Sequence, residues 1–150
     1  MEIQKIEGDF SVCQVADYSQ VNVESEYCFI EKTDEEKSLV CLTEDVPQNT
    51  VRREDGWRAF RVKGVLDFSM VGVLSKISLL LAEENISVFV VSTFNTDYFL
   101  VKKEREMDTL SRLARAGYRV LTGDNYGDYF LNRSVADIMN EYGEQHDEWQ

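Results

Sequence analysis

Proline is almost missing from this chain, with Pro47 the only one. There is no Gly/Ser-rich stretch either, so nothing in the sequence serves as a free linker between independently moving halves. Histidine is equally scarce. His146, in the polar tail, is the single imidazole, so no serine can be matched to a His-based triad within the fold and no nucleophile–base pair can be assembled. The only glycines in the central stretch 64–103 are Gly64 and Gly72, which excludes a P-loop and a GxGxxG fingerprint there. Cys13, Cys28 and Cys41 are odd in number, form no CxxC and sit in apolar, strand-like segments, which predicts reduced core residues. Positive charge is short: 16 Lys and Arg against 28 Asp and Glu leave a formal net charge of −12, unfavourable to nucleic acid and to anionic membranes. The apolar stretch Ile86–Val91, interrupted only by Ser87, is far too short to span a bilayer. The N-terminus has no basic stretch followed by an apolar one and does not read as a signal peptide. These absences predict a cytoplasmic protein without enzymatic activity, metal or cofactor.

What is present suffices for a core. Hydrophobic residues make up 43% of the chain and aromatics 11%, which excludes wholesale disorder and fits one compact domain or two small ones sharing a core. Residues 9–16 alternate as a half-buried strand, and 17–26 read as a loop with at most one turn. Tyr27–Lys32 and Ser38–Thr43 form a hairpin with the charged tip TDEEK, while Glu44–Asp55 read as irregular, with a turn at Asp55-Gly56.

From Trp57 the pattern is regular. WRAFRV alternates with period two. Met70, Val73, Leu74, Ile77, Leu80 and Leu81 then give a helix with one apolar face, an N-cap at Asp67 or Ser69 and a C-terminal cap at Asn85. Ile86–Val91, apolar on both faces, predicts a central strand. A turn around Phe94-Asn95-Thr96 leads to a strand at Tyr98–Val101. Met107, Leu110, Leu113 and Ala114 mark a second helix ending at Gly117, and Tyr118–Leu121 the last strand. The order β-α-β-β-α-β is that of an α+β, ferredoxin-like domain, with both helices on one face of an antiparallel sheet. Leu131, Val135, Ile138, Met139 and Tyr142 give a further short amphipathic helix. Phe29–Cys41 and Phe89–Val101 align without a gap, so the first half reads as a reduced copy of the second.

Two enzymatic or nucleic-acid readings of this element order fail on single residues. An acylphosphatase-type loop needs an Arg after Phe68, where Ser69 stands, and Asp67 would repel an anion. Tyr98 and Phe99 are adjacent and point to opposite faces, so they cannot both stack bases as an RNA-recognition sheet requires. What remains is the helix start after Asp67, where unpaired backbone N–H groups can receive a carboxylate. Gly72, expected within that first turn, either admits a ligand close to the backbone or packs against a neighbouring strand. Ser92, Thr93, Thr96 and Asp97 supply hydroxyls and a carboxylate at the hairpin end, where ordinary turn chemistry uses the same residues.

The hairpin KTDEEKSLVC, the pair Gly56-Trp57, the string VLDFSMVGVLSKI and above all ISVFVVSTFNTDYFLVKK resemble small bacterial proteins with tandem ACT domains. These are related to the amino-acid-binding domains of CASTOR-type arginine sensors and to the regulatory domains of aspartate kinases. The resemblance implies a truncated ACT-like unit at 1–55, a complete ACT domain at 56–122 and a C-terminal extension at 123–150. It also implies binding of a small amino acid or similar metabolite, in a homodimer or higher homo-oligomer. The ligand would be held by Asp67, Ser69, Met70, Val71 and Gly72 on one side and by Ser92, Thr93, Thr96 and Asp97 on the other. The alternative is an adaptor module that binds no small molecule and works through protein contacts.

Overall fold

The computed structural model describes residues 2–63 and 72–121; expectations for 64–71 and for 122–150 lie outside it. Two compact units are present, one of residues 8–58, the other of the residues up to Glu7 together with those from Ala59 onward.

The 8–58 unit is built from the latter part of β1 (Glu2–Val15), from β2 (Cys28–Lys32) and β3 (Lys37–Leu42), and from the first part of β4 (Thr50–Val62), in the order β2-β3-β1-β4. β1 and β3 are antiparallel from Phe10↔Leu42 to Gln14↔Ser38, and β2 and β3 from Cys28↔Cys41 to Lys32↔Lys37. The β2–β3 turn closes with the Thr33 N–H donating to the Glu36 carbonyl at 3.0 Å. Thr33 Oγ1 accepts from the N–H groups of Glu35 and Glu36 at 3.1 and 3.2 Å, so the charged tip is held by a threonine. Leu39, Cys41, Cys13 and Val15 form the buried core, with Tyr18, Val21, Cys28 and Val46 packed against them. Among its described residues this unit has no α-helix.

The second unit takes Glu2–Glu7 of β1 and Ala59–Val62 of β4, then α1 (Val73–Glu83), β5 (Phe89–Ser92), β6 (Asp97–Lys102), α2 (Glu106–Arg115) and β7 (Arg119–Leu121). Both helices turn their apolar faces into one core: Ile77 and Leu81 from α1, Leu110 and Leu113 from α2, and Ile3, Phe60, Val62, Phe99, Val101 and Val120 from the strands. Phe60 and Phe99 stack with ring centroids 5.2 Å apart, and each buried aromatic contributes roughly 1.5–3 kcal/mol through removal from water. α1 and α2 end alike. The Asn85 N–H donates to Ala82 O and that of Ile86 to Leu81 O, while the Gly117 N–H donates to Ala114 O and that of Tyr118 to Leu113 O. Asn85 (φ 58) and Gly117 (φ 94) supply the left-handed residue each such ending needs, as the sequence predicts for both positions.

The element order β4-α1-β5-β6-α2-β7 is the expected one, but the pairing departs from it. β7 lies beside β1, Glu2↔Arg119 to Gln4↔Leu121, and that ladder is parallel, so the sheet is not purely antiparallel. The first strand starts at Glu2 instead of residue 9, and β4 already runs from Thr50 through the segment expected to be irregular. Asp55-Gly56 does not end a turn; Gly56 sits inside β4 with φ +82. β5 spans Phe89–Ser92 and, among the described residues, is the terminal strand beside β6 instead of a central one. Phe89 and Val90 are accordingly only half-buried.

The two hairpins repeat at a constant spacing. Lys37–Leu42 corresponds to Asp97–Lys102, and the 3-10 turn Thr43–Asp45 to the 3-10 turn Lys103–Arg105. The Thr33–Glu36 bond is matched by the Thr93 N–H donating to Thr96 O at 2.9 Å. After these turns the copies part. Glu106 takes helical angles and opens α2, whereas Val46 is extended at φ −61, ψ 121. The residue before a proline is pushed out of the helical region, so Pro47 stops a helix at the point where its counterpart Met107 continues one.

Candidate functional site

Of the nine residues expected to meet a ligand, Asp67, Ser69, Met70 and Val71 fall outside the described residues. The remaining five divide into two groups.

Gly72 occupies the N-cap of α1, with φ +86 and its carbonyl accepting from the Lys76 N–H at 3.0 Å. It therefore stands just ahead of the first turn, whereas the sequence pattern predicts it inside that turn. A Cβ built there would meet no described atom within 4 Å, and the left-handed backbone by itself favours glycine there. Among the described residues the start of α1 has no side-chain cap and no acidic residue in its first turn, so no described carboxylate competes for its N–H groups and their partial positive charge.

The other four residues sit on the β5–β6 hairpin. Ser92 and Asp97 are directly opposed, the last pair of the ladder, and the Ser92 hydroxyl donates to Asp97 Oδ1 at 2.7 Å. Thr93 Oγ1 donates to the Thr96 carbonyl at 2.9 Å and accepts from the Thr96 N–H at 3.4 Å. Thr96, 7% exposed, turns inward and donates from Oγ1 to the Val62 carbonyl at 2.7 Å. Both threonine hydroxyls are thus committed to holding the turn, and Ser92 with Asp97 is the pair that faces outward. That pair presents an ionised carboxylate and the lone pairs of a hydroxyl whose proton is already given away. It is a set of acceptors suited to an N–H-rich or cationic group. The Thr96–Val62 bond fixes where this pair stands, tying the hairpin tip to the end of β4, from which the chain enters 63–72.

Two polar clusters have no signal in the sequence, because their members come from strands far apart along the chain. In the 8–58 unit the fully buried Ser11 donates to Asp55 Oδ1 at 2.6 Å and shares a 2.9 Å hydrogen bond with Thr43. Asp55 in turn accepts a forked pair of bonds from Arg53 at 3.1 and 3.2 Å. In the other unit Arg61 bonds Gln4 Oε1 at 2.5 Å and the Tyr98 hydroxyl at 3.2 Å, with its guanidinium 5.7 Å from the Tyr98 ring centre. Tyr98 is therefore occupied by an arginine instead of offering a stacking platform. Among the described residues no His, Cys, Asp and Glu group has metal-binding geometry, and no helix is long and apolar enough to cross a membrane.

Comparison with known proteins agrees with this geometry. Residues 52–115 match the model of the ACT domain. No curated protein matches the chain in sequence. Among solved structures, a protein of Agrobacterium tumefaciens is similar at 28% identity and a TM-score of 0.73, over 81% of this chain and 92% of that one. A protein of unknown function from Vibrio cholerae superposes with a TM-score of 0.60 at 21% identity, over 76% and 88% of the two chains. The ligand-free regulatory subunit of aspartate kinase from Thermus thermophilus does so with a TM-score of 0.55 at 8% identity, over 78% and 97%. Residues 52–115 thus match an ACT domain, and the chain shares its fold with the regulatory subunit of aspartate kinase.

Proposed function

We propose that this protein is a non-catalytic, cytoplasmic ACT-type module that binds a small amino acid or a similar metabolite and regulates through it. The bond from Thr96 to Val62 carries this reading. It sets the outward-facing Ser92–Asp97 pair at the end of β4, next along the chain to the segment leading to the start of α1. A zwitterion fits that arrangement: its carboxylate meets the N–H groups between Ser69 and Gly72, and its ammonium or a cationic side chain meets Asp97 and Ser92. In this reading Met70 and Val71 line the carboxylate side and Asp67, which would repel an anion, faces the ammonium; Thr93 and Thr96 shape the hairpin without touching the ligand. The repeated hairpin and 3-10 turn support a tandem of ACT-like units, 1–55 and 56–122, the first without helices. Self-association as a homodimer or higher oligomer would cover β5, the terminal strand among the described residues.

Calorimetric titration of ligand-stripped protein with each common amino acid tests the proposal. Saturable heat with at least one of them is expected, and Asp97→Ala should weaken a cationic ligand more than a neutral one. Silence across the whole panel would overturn it. The commitment of both threonine hydroxyls to the turn favours a second reading, an adaptor that binds no small molecule. In that case removal of residues 124–150 changes the mass in solution or releases a protein partner, while no amino acid gives heat.

A further inference from the structure

Away from the hairpin site, nucleophilic side chains gather in one place. Cys13, Cys28 and Cys41 belong to the same small core of the 8–58 unit, and all three thiols are free. Their strands set their spacing. Cys28 and Cys41 are direct partners across the β2–β3 ladder. The ladder alternates between hydrogen-bonded and non-hydrogen-bonded pairs. Counting back from the Thr33–Glu36 bond, Cys28↔Cys41 falls on a non-hydrogen-bonded pair. Such pairs have Cα atoms about 4.5 Å apart and side chains leaning together on one face, inside the roughly 4.4–6.8 Å that a disulfide spans.

Cys13 stands differently. It pairs with Leu39, and Cys41 pairs with Ser11, so Cys13 and Cys41 are diagonal neighbours. Their Cα separation is then about 7–8 Å, at or beyond the disulfide limit. Interaction with the neighbouring Cys41 thiol holds Cys13 below the usual thiol range and pushes Cys41 up. Exposure separates the three as well. Cys13 and Cys41 are 3% and 2% exposed, whereas Cys28 is half-buried on β2, the outermost described strand of its unit.

We propose that Cys28 and Cys41 are a peroxide-responsive pair that closes a reducible cross-strand disulfide and locks the edge strand β2 onto β3. Hydrogen peroxide is the oxidant. The sulfur of Cys28, the reachable thiol, attacks one peroxide oxygen, the O–O bond breaks, and a sulfenic acid and one water result. Cys41 then attacks the sulfenic sulfur, the S–O bond breaks, hydroxide leaves and takes up the thiol proton as a second water, and the S–S bond remains. The balance is two thiols and one peroxide giving one disulfide and two waters. Burial, with Asp45 nearby, pushes the Cys28 thiol up. The pair is therefore slow to oxidise near neutrality, and the protein stays reduced until peroxide accumulates.

The full chain, reduced and then exposed to hydrogen peroxide, tests this by intact mass and by peptide mapping after acid quench. The expected result is the loss of two hydrogen atoms, a single bridge joining the peptides of Cys28 and Cys41, and reversal by dithiothreitol. Cys28→Ser, a change at the half-buried position, should abolish the bridge completely; Cys13→Ser should keep it. Amides of β2 should exchange more slowly with deuterium in the oxidised protein than in the reduced one. A bridge to Cys13 would overturn the proposal. So would loss of the bridge in a Cys13→Ser protein with native circular dichroism, or sulfinic acid at Cys28 with no bridge at all.

Discussion

Thr96→Val separates a residue that braces the site from one that contacts a ligand. Valine has nearly the shape of threonine, so the substitution removes the hydroxyl and little else. That hydroxyl donates to the Val62 carbonyl at 2.7 Å in a buried setting. Leaving a buried carbonyl short of its donor costs about 1–3 kcal/mol. The added methyl, placed where Thr96 is 7% exposed, returns up to about 0.8 kcal/mol through burial. A net loss of about 1–2 kcal/mol is expected. For a chain of this length each kcal/mol lowers Tm by about 2–4 °C, so the midpoint should drop by about 2–8 °C in a thermal melt followed by circular dichroism. The turn itself should survive, because the Thr93 N–H and Oγ1 both bond the Thr96 carbonyl, which valine retains. Thr96→Ser keeps the hydroxyl and should lose less than Thr96→Val. A Val variant as stable as the parent protein would refute the reasoning, as would Ser and Val variants that lose equally. A Val variant of unchanged stability that no longer binds the ligand would move Thr96 into direct ligand contact.

Further expectations come from the backbone and from one carboxylate. Gly8→Ala should destabilise by about 1–3 kcal/mol in urea denaturation, because φ +110 is a glycine conformation and the new Cβ would lie 2.9 Å from Leu42 Cδ2. Gly56→Ala, at φ +82 with nothing near its Cβ, should cost about 1–2 kcal/mol, and a larger loss there than at Gly8 would contradict the geometry. Asn85→Val places a β-branched residue at φ 58 in the cap of α1 and should cost about 1–2 kcal/mol, read from the same denaturation curves. Asp17 accepts hydrogen bonds from the Ser19 hydroxyl, the Ser19 N–H and Asn49, and these hold its carboxyl below the ordinary 3.8. Its folded pKa is depressed, so the stability it contributes is present above that value and lost as pH falls through the folded pKa. Proton titration followed by NMR should show Asp17 titrating below the ordinary 3.8, and Asn49→Ala should move it upward.

The parts of the fold that were legible in the sequence are those whose burial leaves a period. Ile77 and Leu81, and Leu110 and Leu113, recur at helical spacing and are the buried faces of α1 and α2. Asn85 and Gly117 were readable because a left-handed helix ending restricts the residue allowed there. The first half of β1 was not readable: Ile3 and Ile6 are its buried residues, three positions apart, which breaks strict alternation, and Gly8 interrupts the strand with a positive φ. The start of β4, TVRRED, is mostly exposed. Its strand character comes from pairing with neighbours and not from a buried face, so no apolar pattern records it. Phe89-Val90-Val91 is equally apolar at a sheet edge and at a sheet centre, and the sequence could not distinguish them. At the candidate site the residue types were visible, but their use was not. Serine and threonine hydroxyls look alike in a sequence, and only geometry separates the inward Thr96 from the outward Ser92.

The ladder between β1 and β7 also bears on how the molecule is made. Glu2–Gln4 leave the ribosome before the rest of the described chain, yet their partners on β7, Arg119–Leu121, are synthesised only after it. Residues 8–58 have all their own strands as soon as they emerge, so the helix-free unit can form during translation. The second unit cannot be completed until its first strand, already long outside, is joined by its last. Contacts of such sequence separation slow folding. During that wait the Ile3 and Ile6 side chains, buried in the finished protein, stay open to chaperones and to neighbouring chains.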